Sequence, residues 1–254
     1  MTSKMGSSIL RFLKKIRNPE FIFTLGNLKL GKFNNPEVTY KILNKEEESR
    51  RFIFEQKENT DEKRQFLDVG GRDGSLGYLL GDKGNFSFNK TFYEENKQKF
   101  NKKFNYFGLD ILPAGDNVLF GDICSHEFKN KYKGKECFFD VIYSNNVFEH
   151  LNKPWVAAQN IDFLLKKGGV VITVAPFSTR YHSVPDDYFR YTHTAIESLF
   201  SDYSDYEVLK TGYDIQGRRN NWQGDGTVND IVPVDSFGAW RETWFTFTAL
   251  RKLD

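Results

Sequence analysis

The clearest structural signal in the sequence is the stretch Phe66-Leu67-Asp68-Val69-Gly70-Gly71-Arg72-Asp73-Gly74. Its apolar start predicts a buried strand, its glycines predict a turn, and residues 75–80 after it predict a helix. Glycine adopts positive φ and lets backbone N–H groups approach a ligand closely. A strand, a glycine turn and a helix start together predict a binding site for a nucleotide-like cofactor.

The composition argues against nucleic acid as the main partner. The 254 residues carry a formal net charge of +2, whereas nucleic-acid-binding proteins usually show a strong basic excess. The two cysteines, Cys124 and Cys137, lack metal-ligand spacing and fit a reducing, cytoplasmic location. No apolar run is long enough to span a bilayer. The basic amphipathic stretch 8–17 is interpreted as a packing helix or lid, with binding to a membrane surface as the alternative.

The order of predicted elements indicates an α/β domain at residues 61–254, preceded by an N-terminal extension or lid at 1–60. Buried strands alternate with helical stretches, which predicts a parallel sheet covered on both faces. A polar helix is also expected around 46–52, and a helix with a threonine N-cap over 192–200. Residues 217–242 form a long insertion rich in glycine and asparagine. The predicted strands are 66–70, 104–110, 139–144, 169–175, 206–211 and 243–250.

Acidic residues follow the predicted second and third strands. Asp110 ends the segment 106–110, where a carboxylate can accept both hydroxyls of a ribose. Asp122 follows Gly121 and precedes the apolar Ile123. For both aspartates the alternative is a capping role in the turn after the strand.

Four segments in order resemble motifs of class I S-adenosylmethionine-dependent methyltransferases of the small-molecule, type-11-like branch. They are the acidic and glycine-rich turn 68–74, the segments around Asp110 and Asp122, and the run from Asn145 through Glu149-His150-Leu151 to the lysine and glycine residues 166–169. Arg72 departs from the family pattern, which has its middle glycine there.

This resemblance implies a Rossmann-like, seven-stranded, mostly parallel sheet with a reversed final strand. It also implies S-adenosylmethionine as methyl donor and S-adenosylhomocysteine as product. Asp122 is expected to accept from the adenine amino group, with Ile123 against the ring. The residues expected to bind the cofactor are Asp68, Gly70, Gly71, Arg72, Gly74, Asp110, Ile111, Asp122, Ile123 and Asn145.

The loop 180–191 is the predicted acceptor side of the site. It resembles the H-x-x-P-x-D-Y-[FW]-R-[FY]-[TS] segment of methyltransferases from bacterial surface-glycan gene clusters. His182 is the candidate general base, since histidine titrates near neutrality, and His150 is the second candidate. The alternative is that the loop residues only hold the loop in place. Candidate acceptor contacts in this loop are Tyr181, Asp187, Tyr188 and Arg190.

The late insertion supplies further acceptor candidates, Arg218, Arg219 and Trp222. Guanidinium groups suit phosphates, and an indole face suits a sugar or a base. The alternative is a solvated loop whose arginines pair with aspartates such as Asp214, Asp225 or Asp230.

The sequence therefore predicts an O-methyltransferase that acts on a sugar hydroxyl, with a nucleotide-activated sugar as acceptor and a GDP-heptose as first candidate. The resemblance supplies the setting, capsular or other surface-polysaccharide synthesis. No metal-ligand cluster is apparent, so a side-chain base is expected. The alternatives are another small-molecule acceptor, such as a quinone or a phosphorylated precursor, and a protein that binds the cofactor without catalysis. A homo-oligomer is compatible with the sequence, which does not fix the oligomeric state.

Overall fold

The computed structural model describes residues 43–55, 62–72, 76–80, 90–179, 181–183, 185–217 and 243–253. By its contacts the chain divides into two compact units, residues 43–215 with 244–254 and residues 1–42 with 216–243. Almost all of the second unit lies outside the described residues. So do most of the predicted extension 1–60 and residues 218–242 of the predicted insertion.

The described residues form helices and strands in alternation. Among them, no helix is long and apolar enough to cross a membrane. In chain order the elements are α1 (Lys45–Phe54), β1 (Arg64–Val69), α2 (Gly77–Leu80), α3 (Lys90–Lys103), β2 (Phe104–Asp110), β3 (Val118–Phe120), α4 (Phe128–Lys131), β4 (Phe139–Asn145), a 3₁₀ turn (Phe148–His150), α5 (Pro154–Leu164), β5 (Leu165–Ser178), α6 (His193–Ser201), β6 (Tyr206–Gly217) and β7 (Thr243–Lys252).

The seven strands form one sheet in the order β3-β2-β1-β4-β5-β7-β6. The strands from β1 to β5 pair in parallel, and β7 pairs antiparallel with β5. This confirms the predicted seven-stranded, mostly parallel sheet with a reversed final strand. The strand order runs outward from β1 in both directions, through β2 on one side and β4 on the other. Open α/β sheets bind ligands at such a switch point, outside the carboxyl ends of the strands.

The elements predicted within the described residues are present, and several are longer than the sequence indicated. The helix predicted over 8–17 lies outside the described residues. β5 begins at Leu165 rather than at 169, because Leu165 pairs with Phe139 before a bulge interrupts the ladder. This part of β5 contains two lysines and two glycines, so it lacks the run of apolar residues from which a buried strand is predicted. The helix predicted over 192–200 is α6, and the Thr192 side chain accepts from the Ala195 N–H as its N-cap.

Two apolar clusters cover the two faces of the sheet, because side chains alternate along each strand. Leu67 belongs to the cluster that contains residues of α5, and Phe66 belongs to the other cluster. The ring centroids of Phe66 and Phe100 lie 5.0 Å apart there. α1 contributes the fully buried Ile53 to the Phe66 cluster. The compact unit that contains α1 begins at Leu43. The division at residue 60 stays a prediction.

Candidate active site

A cleft of about 800 Å³ opens at the carboxyl ends of β1 to β4. Its volume lies in the range of small-molecule and cofactor sites. The strands bring together residues that are far apart in the sequence. The lining residues are Val69, Gly70, Arg72, Leu109, Asp110, Ile111, Leu112, Gly121, Asp122, Ile123, Cys124, Asn146, Val147, His150, Leu151, Asn152, Pro185, Asp186 and Tyr188.

The glycine turn after β1 forms one wall of this cleft. Gly70 has φ +82°, a conformation that favours glycine, and a Cβ at Gly70 would lie 2.6 Å from Val147 Cγ2. Its N–H donates to the Leu109 carbonyl at 2.7 Å, which ties the turn to β2. Position 70 therefore requires glycine, because of its φ and because the Val147 side chain fills the space where a Cβ would lie. The predicted Gly74 lies outside the described residues.

Asp68 lies beneath the turn and does not line the cleft. Its carboxylate accepts a hydrogen bond from the Tyr106 hydroxyl at 3.1 Å. Burial raises the pKa of Asp68 to about 7, because it outweighs the lowering effect of this hydrogen bond. A Cβ at Gly71 would lie 2.6 Å from Tyr106 Oη and 2.7 Å from Asp68 Oδ2. Asp68 and Gly71 therefore support the turn from inside, and their predicted contact with the cofactor stays a prediction.

Two aspartates border the cleft at the ends of β2 and β3. Asp110 Oδ1 accepts from the Leu112 N–H and Asp122 Oδ1 from the Cys124 N–H, both at 2.8 Å. These bonds match the capping alternative for one oxygen of each carboxylate. Both side chains still line the cleft, so the capping role and a ligand contact are compatible.

Apolar side chains lie next to these carboxylates. Ile111, which is 62% exposed, and Ile123, which is 6% exposed, both line the cleft. Val147 and Leu151 continue the apolar surface from the side of β4. The cleft thus offers a carboxylate and an apolar wall together, as a nucleoside requires.

The end of β4 differs in detail from the prediction. Asn145 is the last residue of the strand, and its buried Oδ1 has no hydrogen-bond partner among the described residues. Asn146 follows with φ +55° and lines the cleft in place of Asn145. Asparagine tolerates this left-handed conformation better than most residues. The asparagine at position 146 is therefore a sequence signal for a turn at the end of β4.

These features fit S-adenosylmethionine. The side-chain-free turn at Gly70, the Asp110 carboxylate and the Ile111 and Ile123 walls would hold its methionine, ribose and adenine parts respectively. Arg72 is exposed and lines the cleft, so a cation is available there for the cofactor carboxylate.

The loop after β5 is fastened by an ion pair. The buried Asp187 carboxylate accepts from Arg190 Nη2 at 2.7 Å and from the His182 backbone N–H at 2.7 Å. The hydrogen bond from Arg190 is the main reason that the pKa of Asp187 is lowered to about 2. Both side chains therefore hold the loop, as the alternative interpretation expected, and their direct contact with an acceptor stays a prediction.

The same loop is attached to the end of β4 through Glu149. The Glu149 carbonyl accepts from the Tyr188 N–H at 2.7 Å, and the Tyr188 side chain lines the cleft. Tyr181 is 70% exposed and does not line the cleft. The attachment places part of the predicted acceptor loop beside the cofactor residues.

A cluster of three titratable side chains lies at this junction, and we call Glu149, His150 and His182 the EHH cluster. Glu149 Oε1 lies 3.7 Å from His150 Nε2 and 4.0 Å from His182 Nε2. The Glu149 side chain is only 1% exposed, whereas that of His182 is 42% exposed. Burial is the main cause of the raised pKa of Glu149.

The structure therefore brings together most of the predicted cofactor residues and adds others. Cys124, Asn146, Val147, Asn152 and Asp186 were not predicted as site residues. Asn146 and Val147 could have been inferred as site residues, because they directly follow the end of β4. The position of Asp186 in the cleft depends on how the loop after β5 folds back, which the sequence does not show. The predicted Arg218, Arg219 and Trp222 lie outside the described residues. Asp214, one of their suggested partners, accepts from the Lys45 N–H at 2.9 Å.

Comparisons with known proteins agree with this geometry. A family model described as a methyltransferase domain matches residues 30–225. A solved structure of a "putative methyltransferase" from Bacillus halodurans C-125 has a TM-score of 0.51 at 11% identity and covers 82% of this chain and 98% of its own. A solved S-adenosylmethionine-dependent methyltransferase from Archaeoglobus fulgidus has a TM-score of 0.47 at 13% identity. The match covers 91% of this chain and 99% of the Archaeoglobus chain. The search of curated proteins gives no match.

The family model covers well over half of the chain, and the Bacillus structure shares its fold. The chain therefore belongs to the family of methyltransferase domains.

Proposed function

We propose that the protein methylates a hydroxyl group of a sugar, carried as a nucleotide sugar. The observation that supports this most is the polar end of the cleft beyond the cofactor residues. His150, Asn152, Asp186 and Tyr188 line it, and His150 is also the member of the EHH cluster that reaches the cleft. Imidazole, amide, carboxylate and phenol groups can bind several hydroxyls at once.

A polar acceptor is favoured over an apolar one for the same reason. A quinone or a similar ring would need an apolar tunnel next to the methyl donor, whereas Leu151 and Pro185 are accompanied at this end by four polar residues, His150, Asn152, Asp186 and Tyr188. Burying these groups against an apolar ligand would leave their hydrogen bonds unmade, which costs about 1–3 kcal/mol for each group. A hydroxyl-rich acceptor satisfies them.

When bound, S-adenosylmethionine supplies a methyl group on a sulfonium sulfur, which is a good leaving group. The task of the chain is then to hold the acceptor oxygen in line with the methyl carbon and the sulfur, because positioning is worth most in such a transfer. The Asp187–Arg190 ion pair and the bond from Tyr188 to Glu149 fix the loop that would carry out this positioning.

The nucleotide part of the acceptor is assigned to the late insertion. Arg218 and Arg219 would bind the diphosphate and Trp222 the sugar or base. A GDP-heptose is the first candidate, and capsule synthesis in the cytoplasm is the proposed setting, which rests on the sequence resemblance.

An acceptor screen tests the proposal. Purified full-length protein is incubated with S-adenosylmethionine and with nucleotide sugars, GDP-heptose among them, free sugars, phosphorylated sugars and quinols. We expect a methylated nucleotide sugar, detected by mass, with an O-methyl group located by NMR. Methylation of quinols alone, or of free sugars at the same rate as nucleotide sugars, would contradict the proposed acceptor. S-Adenosylhomocysteine binding without methylation of any acceptor would contradict methyl transfer to a sugar altogether.

A further inference from the structure

The EHH cluster has a composition and an arrangement that its role in holding the loop does not explain. Each of its three residues offers one donor atom, and these atoms all lie within 4.8 Å of one another. Two imidazoles and one carboxylate form the ligand set of many mononuclear metal sites. No ion is needed to hold Asp187, Arg190 and the loop together, so the convergence of these three side chains requires a separate reason.

The Nε2 atoms of both histidines face the Glu149 carboxylate, at 3.7 Å and 4.0 Å from its Oε1 atom. His150 Nδ1 is hydrogen-bonded to the carbonyl oxygen of Asp186, which can only accept. The His150 Nδ1 atom therefore carries a proton, and in the neutral ring Nε2 carries a lone pair. His182 Nδ1 lies 3.4 Å from the carboxylate of Asp187, which favours the same tautomer. Such oxygen partners at the second nitrogen are the usual support of a metal-binding histidine.

The Glu149 carboxylate completes this arrangement. Its Oε2 atom is buried and has no hydrogen-bond partner among the described residues. An isolated buried carboxylate is unfavourable unless a cation or hydrogen-bond donors compensate it. A proton on one imidazole, or a metal cation held by all three groups, supplies the positive charge that this carboxylate needs.

We propose that Glu149, His150 and His182 bind one divalent transition-metal ion, of the kind that zinc or ferrous iron represents, at the acceptor end of the cleft. Metal bonds of about 2.0–2.1 Å place neighbouring ligands roughly 3.0–3.5 Å apart. The observed distances of 3.7 Å and 4.0 Å from Glu149 Oε1 to the histidines, and the separation of up to 4.8 Å among the three donor atoms, require the side chains to approach by roughly 1 Å. Three protein ligands leave coordination positions open, as in catalytic sites.

The role of the ion rests on the proposed function. His150 also lines the cleft, so an oxygen of the acceptor can take an open position. A bound divalent ion would lower the pKa of a coordinated acceptor hydroxyl, so that its proton would pass to solvent water. The acceptor oxygen would then take the methyl group as the bond to sulfur breaks and S-adenosylhomocysteine leaves. His182 would serve as a ligand rather than as the base expected from the sequence.

Metal binding is tested first without any acceptor. Metal-stripped full-length protein is titrated with Zn²⁺ by calorimetry and with Co²⁺ by visible absorption. We expect one ion per chain and at least tenfold weaker binding in Glu149→Gln, His150→Gln and His182→Gln. His126→Gln, which changes an exposed histidine outside the cleft, serves as the matched control and should bind like the wild type. S-Adenosylhomocysteine affinity of each variant verifies its fold.

X-ray absorption of the zinc-loaded wild type supplies a measurement that does not depend on variants, and it should show two imidazole ligands and one carboxylate. Absence of zinc binding, or equal binding in the three cluster variants and the control, would overturn the proposal. Methyl transfer by metal-free protein at the full rate would also overturn the role of the ion, while the proposed function would stand. Zinc binding with the expected ligands and no methylation of sugars would support the site and contradict only the proposed function.

Discussion

Gly108 on β2 faces the carbonyl oxygen of Gly71 so closely that a Cβ at position 108 would lie 2.0 Å from that oxygen. Gly108 also pairs with Asp68 in the parallel ladder between β1 and β2. The glycine turn can therefore lie against β2 only because Gly108 has no side chain.

Replacing Gly108 with alanine should displace the turn and weaken the cofactor site. Over-packing of this kind costs about 1–3 kcal/mol, and we expect at least a tenfold loss of S-adenosylhomocysteine affinity together with a lower melting temperature. Calorimetry and thermal unfolding check both. Gly115→Ala is the control, because a Cβ there meets no atom within 4 Å. Wild-type affinity in Gly108→Ala would show that the turn does not need this contact.

Asp110→Asn should weaken cofactor binding while it keeps the local turn. The asparagine oxygen can still accept from the Leu112 N–H, whereas the charged acceptor for the ribose hydroxyls is lost. Hydrogen bonds to charged groups contribute about 1.5–3 kcal/mol each, so a loss of tenfold or more in S-adenosylhomocysteine affinity is expected by calorimetry. Asp116→Asn, an exposed aspartate on the connection to β3, is the matched control. Unchanged affinity in Asp110→Asn would remove Asp110 from the ribose role.

Asp68 should make the stability of the protein depend on pH between about 4 and 7. Its folded-state pKa is raised from 3.8 to about 7, so in this window the unfolded chain loses a proton that the folded chain retains. The free energy of unfolding therefore falls as pH rises through the window, by up to about 4 kcal/mol.

Asp68→Asn lacks this ionisation. Its stability relative to wild type should increase between pH 4.5 and pH 8, as measured by urea unfolding at both pH values. Asp116→Asn should show no such pH-dependent gain. A constant difference between Asp68→Asn and wild type at the two pH values would contradict the raised pKa.

His182→Ala should separate turnover from cofactor binding. The side chain belongs to the EHH cluster and does not line the cleft, so S-adenosylhomocysteine affinity should stay within about twofold of wild type. Turnover of the acceptor found in the screen should fall by about a hundredfold or more, which matches a typical general acid–base or ligand contribution. His126→Ala controls for the loss of a histidine. Near-normal turnover in His182→Ala would move the chemistry to another residue.

The parts of the fold that depend on local pattern could be predicted from the sequence. The apolar run before Gly70, the Thr192 cap and the alternating β7 are properties of neighbouring residues, and the structure has all three. The role of Asp68 could not be predicted in the same way. Its carboxylate is enclosed by Tyr106 from a strand 38 positions away, and the sequence of the turn alone does not show which side of it faces the cleft.

The acceptor side depends even more on distant contacts. Glu149 and His150 are adjacent in the sequence, but His182 reaches them only because the Tyr188 and Phe189 N–H groups donate to the Glu149 carbonyl. No spacing rule shows this meeting, so the EHH cluster could not be inferred from the sequence. By contrast, Asp187 and Arg190 are only three residues apart, so an ion pair between them that holds the loop can be inferred from the sequence.

The sheet order has a consequence for how such a protein changes over generations. In the proposed assignment, the ends of β1, β2 and β3 would provide most of the walls for the methyl donor, whereas the acceptor groups would come mainly from the segments after β4 and β5. Inherited changes in the loop after β5 can therefore redirect the chain to a new acceptor while the donor half stays intact. One ancestral scaffold can in this way give rise to descendants that share a donor and differ in what they modify.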